Sequence, residues 1–164
     1  MKLINFSVTN YRSITSAHKI SVKDTTVLIG KNNEGKSNLL RSLLVAMELL
    51  QDHALIERKG LRRRIRDYDS SYFWERDFPI TLQDRKGAKN TILKLEFLLD
   101  NDEILEFKDE IGSNLNGTLP LEIKIGRENT PEINLKKPGK NTKSLSKKSG
   151  KIADFIARRI HFNY

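Results

Sequence analysis

The sequence predicts a mixed α/β fold (α+β), with an antiparallel β-meander set beside a strand, a glycine-rich loop and a helix. Three observations predict it. A β-branched apolar run at Thr25–Ile29 leads through Gly30–Ser37 into leucines at helical spacing. Residues 2–9 alternate polar and apolar side chains. From Thr91 onward, short apolar runs are separated by turn residues, with no strand–helix repeat.

Taken in order, Ile4, Phe6 and Val8 fall on one side of a first strand and Asn5, Ser7 and Thr9 on the other. A second short strand is expected at Lys19–Lys23 through Ile20 and Val22. Thr25–Ile29 has the composition of a strand covered on both faces, and it ends at Gly30. Leu39, Leu40, Leu43, Leu44, Met47 and Leu50 then give a helix one broad apolar face. Ala54–Arg66 extends it as a basic helix interrupted near Gly60, and Asp67–Ser71 reads as a turn. In the second half, Ile92–Leu99 is a strand, with Glu103–Lys108 its expected hairpin partner across Asp100, Asn101 and Asp102. Leu119–Ile125 alternates cleanly, and Pro131–Leu135 adds a fourth strand. Residues 136–150 are lysine, serine, asparagine and glycine with one large apolar residue, Leu145, and read as a flexible basic loop. Lys151–Arg159 sets Ile152, Phe155 and Ile156 on one helical face, and Ile160–Tyr164 begins what reads as another strand.

At 164 residues the chain is long enough for one domain with a real core. Apolar residues make up 37% and charged residues 31%, which places it among globular rather than disordered chains. Cysteine is absent, which excludes disulfides, thiolate metal sites and cysteine nucleophiles. No run approaches the roughly 18 apolar residues of a membrane span, and residues 1–10 lack the apolar block of a secretion signal, so a cytoplasmic location is expected by elimination. The net charge of +9 is concentrated: Arg58–Arg66 carries six basic residues and Lys136–Lys151 seven, with no acid in either. Clustered cations gain by displacing the counterions of nucleic acid, which makes DNA an expected partner. The same runs also suit solvated loops.

Gly30, Lys31, Asn32, Asn33, Glu34, Gly35, Lys36 and Ser37 satisfy G-x-x-x-x-G-K-[ST], a pattern with chance odds on the order of one in two hundred in a chain of this length. Gly30 and Gly35 allow a tight turn and close approach of the backbone to a phosphate. The amides of residues 33–38 converge on the anion, and the helix that follows adds the positive end of its dipole. Lys36 supplies a point charge for the β- and γ-phosphates, and the Ser37 hydroxyl can ligate Mg²⁺. A strand-to-helix turn that binds nothing would need neither the lysine nor the hydroxyl. Asp84–Gly87 also fits the D-x-x-G element of GTPases, but no N-K-x-D follows, and the match falls in an expected turn.

With the loop in place, Phe6–Ile14, containing Asn10, Tyr11, Arg12 and Ser13, resembles the N-[FY]-[RK]-S element that opens RecF and SMC-type ATPases. The loop, with Asn32, Asn33 and Asn38, reads G-x-N-N-x-G-K-S-N and is similar to that of the OLD (overcoming lysogenization defect) nuclease family. RecF and SMC members more often carry glycine at the position of Asn33, and asparagine tolerates the left-handed conformation such a site demands. The resemblance is close over about the first 50 residues. It implies the N-lobe of an ABC-type ATPase head that takes ATP and Mg²⁺, pairs with a second head as a homodimer, and in OLD proteins precedes a Toprim nuclease domain. It implies that Arg12 contacts the nucleotide. It also places a Q-loop region at Phe73–Pro79, where Asp77, or else Gln83, would sense Mg²⁺ and the attacking water, with Trp74 and Phe78 as core or interface residues.

The sequence carries no strand ending in Asp-Glu, no L-S-G-G-E signature, no switch histidine and no Toprim carboxylate cluster. The 164 residues therefore read as a partial P-loop ATPase domain, its N-terminal lobe, with the rest of that domain and any nuclease domain outside it. Weak or absent turnover is expected, because no acid is placed to polarise water. The competing expectation is a self-sufficient basic nucleic-acid-binding module whose loop holds a backbone phosphate.

Overall fold

A computed structural model describes residues 1–31, 35–59, 71–87, 89–136 and 147–160. Strands β1 (Lys2–Tyr11) and β2 (Ile14–Ser21) form a hairpin. Helix α1 (Lys36–Lys59) and the single-turn helices α2 (Trp74–Asp77) and α3 (Ile80–Gln83) lead to β3 (Thr91–Leu98). Helix α4 (Asn101–Ile111), strands β4 (Thr118–Ile125) and β5 (Pro131–Leu135), and helix α5 (Ser149–Ala157) complete the order. The five strands make one antiparallel sheet in the order β2-β1-β3-β4-β5.

Register aligns the apolar residues into rows that cross the sheet. Phe6, Leu95, Leu121 and Leu135 stand opposite one another in turn, as do Val8, Leu93, Ile123 and Ile133. All eight are buried. The period of two makes the opposite face polar, with Ser7 beside Lys94, Lys94 beside Glu122 and Glu122 beside Asn134. There Glu122 pairs with Lys94 at 3.7 Å and with Lys136 at 3.2 Å. A bulge in β1 between Leu3 and Asn5 puts Leu3, instead of the expected Ile4, opposite Phe97.

Helices α1 and α5 pack against each other and touch the sheet at β1, β3 and β5, with α4 set against α5 through an edge-to-face contact of Phe107 on Phe155 at 5.2 Å. Being covered on more than one side, α1 buries Ser42, Val45, Ala46, Met47, Leu49, Leu50 and Ala54. The core face is thus rotated from the expected leucine stripe, and Leu40 is left 57% exposed.

Two expected strands do not form. Glu103–Lys108 lies within α4, because Asp100 and Glu103 make a capping box: the Glu103 N–H donates to Asp100 Oδ1 at 2.9 Å and the Asp100 N–H to Glu103 Oε2 at 3.0 Å. Helical spacing then buries Phe107 and Ile111 together, and Gly112, at φ 72°, ends the helix. The partner of β3 is β4 instead. Thr25–Ile29 is likewise not a strand: no described strand lies beside it, and Val27 and Ile29 are 73% and 92% exposed. The second strand begins earlier than expected, at Ile14, because the turn at Arg12–Ser13 closes a tight hairpin. The remaining strands fall where alternation placed them. The α1 helix runs on to Lys59, while the expected break at Gly60, most of the Asp67–Ser71 turn, residues 137–146 of the basic loop and residues 161–164 lie outside the described residues.

Candidate functional site

The glycine-rich loop meets α1 at Gly35, whose φ of 91° belongs to the region that favours glycine. A Cβ there would also lie 3.4 Å from Ser13 Oγ and 3.5 Å from Ile14 Cγ1, so the hairpin closes over the spot. Helix α1 starts at the next residue, its first bond running from the Leu39 N–H to the Gly35 carbonyl at 2.8 Å. Lys36 therefore sits on the opening turn, and its ammonium folds back to donate to the carbonyls of Gly30 and Lys31, each at 2.5 Å. Ser37 stands exposed beside it. Among the described residues the partners of this ammonium are neutral carbonyls, and charge-assisted bonds to a phosphate are about twice as strong as neutral ones. Gly30 is exposed, and Asn32, Asn33 and Glu34 lie outside the described residues.

The β1–β2 turn is docked onto that loop. Asn38 Nδ2 donates to Ser13 Oγ at 2.8 Å, joining the hairpin tip to the first turn of α1. Asn38, expected among the phosphate-loop residues, thus has its side chain on the hairpin. Asn10 and Arg12 both hold left-handed φ, 55° and 50°. Asparagine adopts this region readily, and here Asn10 Nδ2 donates to the Asn90 carbonyl at 3.2 Å while its own carbonyl accepts from Thr91 Oγ1 at 2.6 Å. Thr91 in turn shares a 2.7 Å bond with the buried Tyr72 hydroxyl. Arginine is unusual in that conformation, and Arg12 is fixed by its N–H on the Asp77 carbonyl at 2.6 Å.

Asp77 lies beneath this turn, fully buried. Its Oδ1 accepts from Arg12 Nε at 2.8 Å and is ion-paired with Arg12 Nη2 at the same distance, and its Oδ2 accepts from Arg76 Nη2 at 2.6 Å and from the Phe73 N–H at 3.0 Å. Burial alone would raise its pKa, but the bonds from Arg76, the Phe73 N–H and Arg12 outweigh it and hold the carboxyl below the usual range. The expectation of a magnesium-sensing carboxylate meets a group already engaged by two guanidinium ions. Gln83 is turned to backbone carbonyls, those of Glu75 at 3.1 Å and Phe78 at 3.2 Å. Trp74 and Phe78 are buried and stacked at 4.9 Å, with Arg127 over the Trp74 ring at 4.6 Å, so they are core residues. The Tyr11 hydroxyl is buried without a hydrogen-bond partner among the described residues, and burial, aided by Asp77, pushes its pKa up to about 12.

The structure thus brings Arg12 and Ser13 to the loop carrying Gly35, Lys36, Ser37 and Asn38, 22 or more residues further along the chain. Sequence reasoning missed the Asp77–Arg12–Arg76 cluster, since nothing in Trp74–Pro79 names a partner 65 residues away. The basic windows are only partly visible. Arg58 pairs with Asp154, Lys136 with Glu122, and Lys148 donates to the Ile111 carbonyl, while residues 60–70 and 137–146 are outside the described set. Among the described residues no group of three or more His, Cys, Asp or Glu could hold a metal ion, and no helix is long and apolar enough to cross a membrane.

Comparison with known proteins matches residues 1–161 to the AAA ATPase domain family. Among solved structures, the fold is similar to a chain from work on ATP-driven dimerization and DNA-stimulated activation of SMC ATPases. The identity is 13% and the TM-score 0.50, over 99% of this chain and 87% of that one. No curated protein matches.

Proposed function

Because this chain belongs to the AAA ATPase domain family, we propose that it is the ATP-binding N-terminal lobe of an ABC-type ATPase head that works on DNA. One observation carries the reading: Lys36 and Ser37 open a 24-residue helix directly after a left-handed Gly35, with the Arg12–Ser13 turn pressed against the same loop. Gly30, Asn32, Asn33, Glu34, Gly35 and Asn38 contribute main-chain amides to the phosphates, Lys36 carries the counter-charge, and Arg12 meets the nucleotide from the hairpin side.

The residues fit the group. At Gly35 a side chain would be strained by the φ of 91° and would press on Ser13 and Ile14, and the lysine is already aimed across the loop. Magnesium suits the Ser37 hydroxyl, since this ion is held by few protein ligands together with phosphate oxygens and water. When bound it neutralises charge on the phosphates. Residues of this chain bind and orient the nucleotide, and Asp77, the carboxylate expected to sense Mg²⁺ and water, is committed to Arg12 and Arg76. Turnover by this chain alone is therefore weak, and a second head of the same kind completes the site.

The lobe belongs, in this reading, to a cytoplasmic OLD-like ATP-dependent endonuclease of antiphage defence or to a DNA-repair ATPase. DNA is met by the basic windows Arg58–Arg66 and Lys136–Lys151. Support comes from the loop's asparagines, the hairpin turn and the SMC-like fold. Binding of labelled ATP and of duplex DNA, each measured for wild type and Lys36→Ala, tests it. The expected result is loss of ATP binding with DNA binding retained. DNA binding that falls with the same substitution while ATP is never bound would assign the loop to a nucleic-acid phosphate instead.

A further inference from the structure

We propose that Asp77 is a positioning residue, which holds the Arg12 guanidinium at the mouth of the phosphate loop; this rests on the nucleotide-binding reading above. Asp77 grips Arg12 at two levels. Its carbonyl takes the Arg12 N–H at 2.6 Å, and its carboxylate takes Nε at 2.8 Å with Nη2 ion-paired at 2.8 Å. This double grip keeps an arginine in a left-handed conformation that residues of its kind rarely adopt. The neighbouring Ser13 is bonded to Asn38 and packed over Gly35, so the guanidinium is anchored on α2 on one side and tied to the loop one residue away on the other.

Charge favours the same role. The Asp77 carboxylate faces two guanidinium ions, those of Arg12 and Arg76. The carboxylate is fully buried while the Arg12 side chain is 23% exposed, so Arg12 keeps part of its charged group toward solvent. The Arg12 bonds to Asp77 use Nε and Nη2, and no described residue accepts from Nη1. An anion can therefore be met by Arg12 without breaking its hold on Asp77. A carboxylate that merely closed the core under the hairpin would stabilise the fold without favouring any ligand.

A double-mutant cycle separates the two roles. Affinity for MgATP would be measured by fluorescence for wild type, Asp77→Asn, Arg12→Ala and the double variant. The Arg12 ¹⁵Nε–H signal would be followed by NMR. Asp77→Asn keeps the shape and removes the charge. It is expected to weaken MgATP binding by about tenfold when Arg12 is present and to have almost no effect when Arg12 is alanine, with faster solvent exchange at Arg12 Nε. Should that variant fail to fold, Asp77→Glu, which keeps the charge but displaces it, is read in the same cycle. Equal losses in both arginine backgrounds, or no loss at all, overturn the proposal. Lys36→Ala is the separate control: if it abolishes binding while the cycle is additive, only the role of Asp77 falls. If wild type binds no MgATP, the phosphate-loop reading fails and the Asp77 role fails with it.

Discussion

Residues 119–125 and residues 25–29 are both rich in β-branched and apolar side chains, yet they end in opposite environments. Leu119, Leu121, Ile123 and Ile125 are buried between β3, β5 and the helices, whereas Val27 and Ile29 face solvent. Both segments have strand composition, and the difference is neighbours. The first has a hydrogen-bonded strand on each side, and the second has none among the described residues. The sheet is a finished piece of structure, while the loop that carries the lysine is chemistry held mainly by the hairpin tip and by α1.

The largest effect that sharpens this contrast is on stability. Leu95→Ala, at the centre of the sheet, is expected to cost about 2–5 kcal/mol, while Ile29→Ala changes stability by less than about 0.5 kcal/mol, both read from urea unfolding. Comparable losses would mean that residues 25–29 are packed after all. Next comes Lys36→Ala, expected to weaken MgATP binding by about ten- to a hundredfold while leaving the unfolding midpoint unchanged, since among the described residues the ammonium bonds to exposed loop carbonyls. A matching drop in stability would make the lysine a structural part of the loop. Smaller again is Asp100→Ala, which removes one half of the α4 capping box and should cost about 1 kcal/mol by thermal or urea unfolding.

The smallest effect is a pH dependence at the α1–α5 contact. His53 Nε2 lies 3.0 Å from Ser149 Oγ, and burial, only partly opposed by Glu57, lowers its pKa. The unfolded chain then binds the proton more readily than the folded one. Stability contributed here is complete above the unfolded value of roughly 6.5 and is lost as pH falls through the folded value. The unfolding midpoint should decline between about pH 7 and pH 5, and His53→Gln should flatten that decline. An identical slope in the variant would remove His53 as its source.

Much of this was legible because it is local. Alternation located β1, β3, β4 and β5, and G-x-x-x-x-G-K-S located the start of α1. Glu103–Lys108 misled because Glu-Ile-Leu-Glu-Phe-Lys fits a short strand, and the deciding signal was the Asp100–Glu103 cap just before it. The leucine stripe of α1 misled for another reason. A helix wedged between a sheet and a second helix is buried on flanks that a single-stripe pattern does not describe.

By itself the sequence determined the passage from the glycine-rich loop into α1 and the alternation of the strands, since each depends on residues only a few positions apart. The tertiary structure alone decided that residues 25–29 have no strand partner among the described residues, that α1 turns Val45 and Leu49 inward, and that Arg12 is held by Asp77. Those outcomes depend on which distant segments become neighbours, and a carboxylate 65 residues away leaves no trace in local spacing.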